Sequence, residues 1–163
     1  MVDTSDEWIM QRVGVRERHI AGAGVGASDL GREAATSAIA RAGLHPDDIG
    51  LIIVGTVTPD MMFPSTACLV QDKIGAHHAW GFDLSAACSA FTYSLTTASQ
   101  FVATGAYDYA LVVGADVMSS IIDYEDRSTC VLFGDGAGAV VVSAATGDDG
   151  ALLDFEPEID GSG

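Results

Sequence analysis

The chain has 163 residues, 48% of them hydrophobic, and sets seven Lys and Arg against 23 Asp and Glu for a formal charge of −16. A chain of about 150 residues buries roughly 70% of the surface it would expose unfolded, so one domain with a sizeable core is expected and disorder is not. Neither nucleic acid nor an anionic membrane surface is expected as a partner, because both need clustered cations and Lys73 is the only lysine.

In chain order, the first twenty residues are polar, helix-like, and hold Arg12, Arg16 and Arg18. The small residues 21–27 read as a loop, after which Ser28 is placed to cap a helix. Leu30, Ala34, Ala35, Ala38, Ile39 and Ala42 recur at helical spacing, and Gly43 stands where a C-terminal cap belongs. Pro46-Asp47-Asp48 is a turn. Residues 51–57 are a continuous apolar run rich in β-branched side chains, the pattern of a strand buried on both faces. Ser65 or Thr66 opens a second helix that runs to Ile74 and Gly75. Trp80 to Leu84 is a short strand, Ser89 to Thr104 a third helix closed by Gly105, and residues 109–113 another buried strand. Past an irregular acidic stretch at 123–127, residues 130–133 and 139–142 read as two strands joined by a tight glycine hairpin at 134–138. A last strand is expected at 151–155. Helices alternating with apolar strands give an α/β layered sheet.

No stretch approaches the ~20 apolar residues of a membrane span, and the N-terminus lacks the basic region of a signal peptide, so the cytoplasm is the expected location. Cys68, Cys88 and Cys130 are widely spaced and form no CxxC pair, so neither a disulfide framework nor a zinc site is indicated. Cys88 falls between a strand ending near Leu84 and a helix beginning near Ser89. A helix N-terminus stabilises a thiolate through its free N–H groups and dipole, and the small neighbours at 85–87 and 89–90 would let an acyl chain approach. The other reading of Cys88 is a small apolar side chain in a tight packing layer. Cys68 and Cys130 read as core. Residues 134–139 resemble a dinucleotide fingerprint, but a β-branched run follows them where a helix is required, which favours the hairpin. His19, His45, His77 and His78 fall in turns or polar segments and read as surface or structural residues. Trp8, Arg12 and Arg127 could sandwich a purine and meet phosphates, or make ordinary surface contacts. Phe63 is either core or the lining of an apolar pocket.

The motifs taken together carry a resemblance. Residues 3–9 followed by Arg12-Val13-Gly14-Val15-Arg16-Glu17-Arg18, then Phe63-Pro64-Ser65, then 83–93 around Cys88, then Phe133 to Ala139, are ordered and spaced as in β-ketoacyl-acyl-carrier-protein synthase III. The resemblance implies a thiolase-like fold: the N-terminal half, residues 1–163, of a layered αβαβα condensing enzyme. It implies that Cys88 is the nucleophile that takes an acyl group from acyl-CoA, with its backbone N–H in an oxyanion hole. Trp8 and Arg127 would flank the adenine of CoA, with Thr4 and Arg12 nearby. Phe63 would reach across a homodimer interface into the partner's acyl pocket. The acylated enzyme would condense with malonyl-acyl carrier protein, losing CO₂, with no metal and no cofactor beyond acyl-CoA as substrate.

Three departures from the family stand out. It has about twice this length, and its enolate-stabilising His and Asn lie in the second half. It begins with a strand upstream of Met1, read as a central strand, whose loss should open apolar edges. It usually has Gly at the position of Ala90. Two alternatives follow: a ketosynthase selecting polyketide starter units, or the non-catalytic half of a split or heteromeric enzyme.

Overall fold

Leu51–Gly55 forms β1, in which all five residues are buried. Its side chains alternate, with Ile52 and Val54 packing into one apolar cluster and Leu51 and Ile53 into another. A strand covered on both faces must sit between layers of helix. In the computed structural model, which describes residues 2–145, 147 and 151–162, β1 is flanked by β2 (Trp80–Leu84) and β3 (Tyr109–Val117), both parallel to it. The fourth strand, β4 (Asp135–Ser143), runs antiparallel to β3, and the sheet order is β2-β1-β3-β4.

One face carries α2 (Ala27–Ala42) and α3 (Thr66–Ile74), whose Ala35, Ile39 and Val70 pack on Ile52, Val54, Leu111 and Val113. The other carries α4 (Ala90–Ala103), with Ala98 and Val102 on Leu51, Ile53 and Val112. Each Ile, Leu or Val among them contributes roughly 1.5–3 kcal/mol on full burial. The two short helices are α1 (Asp6–Arg12) and α5 (Arg127–Cys130).

Gly43 and Gly75 end α2 and α3 in left-handed conformation, as the sequence predicts. Five expectations need correction. Ser28 lies inside the first turn of α2; Gly26 is the N-cap, and its N–H is satisfied by the Asp29 carboxylate at 3.0 Å. Residues 130–133 are not a strand. The Asp126 carboxylate caps α5 by accepting from the Ser128 N–H and the Ser128 and Thr129 hydroxyls, and these local bonds outweigh the β propensity of the run. The glycine segment 134–138 is therefore no hairpin: from Asp135 onward it is part of β4, paired with β3 over nine residues. Residues 151–155 form no strand and pair with neither open edge of the sheet, β2 or β4. The centre of the sheet lacks nothing among the described residues, since β1 pairs along both of its edges.

Candidate active site

β2 ends at Leu84, and the chain reaches α4 through a tight turn. Ala87 takes φ +47°, a left-handed conformation that costs an alanine roughly 1–2 kcal/mol. A single 3-10 turn, Ala87–Ser89, then runs directly into α4. Cys88 is the middle residue of that turn. It is exposed, and it lines a cavity of about 550 Å³ at the carboxyl ends of the parallel strands. Such crevices are the usual ligand positions of open α/β sheets.

The cavity exists because its floor lacks side chains. Gly55 of β1, Gly114 of β3 and Gly138 of β4 stand in register across the sheet, and all three line it. At Gly55 a Cβ would lie 3.0 Å from both the carbonyl carbon and the Cβ of Ala90; at Gly114 it would lie 3.3 Å from Phe91. At Gly136 and Gly138 it would meet nothing within 4 Å. The first two glycines thus let the start of α4 sit on the sheet, and the latter two leave open space beside it. Ala90 is buried against Gly55, so its methyl occupies part of the room that a glycine there would leave.

Two carboxylates stand at the cavity's edge. Asp116 Oδ1 accepts from the Thr56 and Thr58 hydroxyls and from the Val57 and Thr58 N–H groups, at 2.9–3.2 Å. Asp135 accepts from the Ala21 N–H, the Ser119 N–H and the Ser119 hydroxyl. Burial pushes the Asp135 carboxyl up, but the Ser119 hydroxyl and the two N–H donors outweigh it and hold the group below its ordinary value. Asp83, on β2, accepts from the Thr66 and Ala67 N–H groups at 2.7 Å each and so caps α3 from the neighbouring strand.

Away from the cavity, Ser5 caps α1 by accepting from the Trp8 N–H. The guanidinium carbons of Arg12 and Arg127 lie 4.8 and 4.2 Å from the centroid of the Trp8 ring. Trp8, Arg12 and Arg127 are thus brought together from segments more than a hundred residues apart. Trp8 and Arg127 are in contact, whereas a purine between them would need two stacking distances, about 7 Å. Thr4 is exposed just ahead of the Ser5 cap. Phe63 does not line the Cys88 cavity; it is exposed with Met61 and Met62 at the tip of the loop between β1 and α3.

The four histidines are all exposed and none lines the cavity. Cys68 and Cys130 are not core. α3 buries Thr66, Ala67 and Val70, which leaves position 68 outward, and Cys130 is half-buried at the end of α5. The sequence reading overlooked Asp116, Asp135 and Gly55. A lone carboxylate inside an apolar strand, as in Gly114-Ala115-Asp116-Val117, is the signal that marks the first.

Comparison with known proteins agrees with this picture. The family profile described as 3-oxoacyl-[acyl-carrier-protein (ACP)] synthase III matches residues 82–161. The β-ketoacyl-[acyl-carrier-protein] synthase III of Solibacter usitatus is 58% identical over all of this chain and 50% of its own length. That of Koribacter versatilis is 53% identical over all of this chain and 49% of its own. Among solved structures, 3-oxoacyl-[acyl-carrier-protein] synthase III from Aquifex aeolicus superposes with a TM-score of 0.85 at 50% identity, covering 89% of this chain and 47% of that one. The priming β-ketosynthase of a polyketide biosynthetic pathway gives a TM-score of 0.84 at 40% identity, over 88% of this chain and 43% of that one. By fold, then, the chain is of the thiolase-like condensing-enzyme class. Within that class its sequence is similar to the β-ketoacyl-acyl-carrier-protein synthase III enzymes, and it spans about half the length of the curated relatives it matches.

Proposed function

We propose that residues 1–163 are the N-terminal, acyl-accepting half of a synthase III-type acyltransferase acting in the cytoplasm as a homodimer. The Cys88 sulfur attacks the thioester carbonyl of acyl-CoA, with developing oxyanion charge met by the Cys88 N–H. The carbonyl–sulfur bond to CoA breaks, the thiol proton of Cys88 leaves with the CoA sulfur, and acyl-Cys88 remains. Malonyl-acyl carrier protein would then lose CO₂, and the resulting enolate carbon would take the acyl group and free Cys88. That second step calls on the His and Asn of the family's other half. Trp8, Arg12, Arg127 and Thr4 are the residues for the CoA nucleotide, and Phe63 is the one for the partner's acyl pocket.

The observation that carries this reading is the position of Cys88 on a strained turn, at the mouth of a side-chain-poor cavity running into α4. A starter-unit ketosynthase of polyketide synthesis is the second reading, favoured by the 40% identity to a priming β-ketosynthase. Incubation with acetyl-CoA and mass spectrometry tests the acyl transfer. One acetyl group on the Cys88 peptide, absent from Cys88→Ala, is expected. With malonyl-acyl carrier protein added, no β-ketoacyl product should form from this polypeptide alone. Acetylation of Cys68 or Cys130 at the same rate as Cys88 would defeat the assignment.

A further inference from the structure

We propose that Asp60 is a positioning residue that presents Phe63, a role resting on the reading above in which Phe63 lines the partner's acyl pocket. The loop from β1 to α3 is pinned by carboxylates along its course. Its start is held by Asp116, through Thr56, Val57 and Thr58. Its end is held by Asp83, through Thr66 and Ala67. In its middle, Asp60 reaches the first turn of α2, where its carboxylate accepts from the Ser28 N–H at 2.9 Å and the Ser28 hydroxyl at 2.7 Å. Ser28 is fully buried. Its oxygen also accepts from Lys73 Nζ at 2.6 Å, and Lys73 bonds the Asp29 carboxylate at 2.6 Å as well. The chain thus commits its only lysine to this anchor. Gly26 is part of the fit, since a Cβ there would overlap Asp60 Oδ1.

Between these pins the loop projects Met61, Met62 and Phe63, which are 48, 96 and 87% exposed. A loop stabilised only by burial would fold those side chains inward. Here three carboxylates hold the backbone on both sides of a tip that buries little of its apolar surface. An apolar tip fixed ahead of contact loses less conformational freedom when it docks. The occupant that fits is a second copy of this chain, whose acyl pocket Phe63 would close.

The test measures Cys88 acylation rates with acetyl-CoA and with hexanoyl-CoA on the intact protein and takes their ratio. A variant that is merely less folded lowers both rates equally and leaves the ratio alone. Phe63→Ala is expected to shift it. Asp60→Asn, which removes the charge, and Gly26→Ala, which pushes the carboxylate off its seat, should shift it in the same direction. Shifts of up to about tenfold are expected, since ångström-scale displacement of a positioning contact alters rates by up to about a hundredfold. Asp60→Asn combined with Phe63→Ala should add little to Phe63→Ala alone. If Asp60→Asn does not fold, Gly26→Ala and Ser28→Ala decide. A ratio that moves in Phe63→Ala but stays at the unaltered value in the Asp60 and Gly26 variants overturns the proposal and leaves the role of Phe63 standing. A ratio indifferent to Phe63→Ala removes that role and the proposal with it. Absence of any Cys88 acylation in the unaltered protein is failure of the functional reading itself, seen before a variant is made.

Discussion

Gly55→Ala probes the seat of Cys88 from beneath. The added methyl would stand 3.0 Å from the carbonyl carbon of Ala90 and 3.2 Å from its oxygen, and these are backbone atoms that cannot rotate away. Ala90 opens α4 directly after the turn that carries Cys88, so the first turn of the helix must lift by a few tenths of an ångström. Overpacking of this kind costs roughly 1–3 kcal/mol. At about 2–4 °C per kcal/mol for a chain of this size, Tm should fall by roughly 2–12 °C. Thermal unfolding followed by circular dichroism measures the loss, and the alkylation rate of Cys88 by iodoacetamide reports the displaced turn. Gly136→Ala is the matched control, because a Cβ there meets nothing within 4 Å and Tm should hold. Adding Ala90→Gly to Gly55→Ala removes the Cβ contact but not the backbone one, so recovery should be partial. A Gly55→Ala protein with the unaltered Tm and Cys88 alkylation rate would refute the argument that the glycine row sets the height of α4.

Two further outcomes are expected. Asp135 sits below its ordinary value in the folded chain, and so does Asp29, through the Lys73 bond first and the Gly26 N–H second. A depressed folded pKa contributes stability that is present above the unfolded value, about 3.9, and is lost as pH falls through the folded one. Tm should therefore drop below about pH 4, and less steeply in Asp135→Asn; equal slopes would remove Asp135 from the account. On the proposed function, Trp8→Ala should weaken CoA binding by roughly five- to 150-fold, from the ~1–3 kcal/mol of a base–aromatic stack. Equilibrium titration with CoA checks this, and an unchanged Kd would clear Trp8 of the role.

What the sequence made legible was local. The helices α2, α3 and α4 declare themselves by apolar spacing and glycine caps, and β1 and β3 by continuous β-branched runs. The errors cluster where a polar side chain overrules propensity. Residues 130–133 have the composition of a strand, yet the Asp126 carboxylate, through three bonds from Ser128 and Thr129, starts a helix that ends at Cys130. The glycines of 134–138 look like a turn because nothing in their local sequence tells that β3 lies alongside with Gly114 opposite Gly138. The expectation of a gap at the centre of the sheet failed for the same reason, since strand order is a property of pairing and not of chain order.

The candidate site divides along the same line. Cys88 could be singled out from a short window, because a thiol at a strand-to-helix turn is itself a local pattern. Its cavity could not. The floor comes from positions 55, 114 and 138, glycines of three different strands, and becomes a floor only when β1, β3 and β4 pair in that register. Volume around Cys88 is therefore set by residues that carry no chemistry. Ala90 shows the consequence: its methyl takes up space over Gly55 at the cavity wall, two residues along the chain from Cys88. On the proposed function, acyl-chain preference should thus respond more to Ala90 and the three glycines than to any polar group around Cys88.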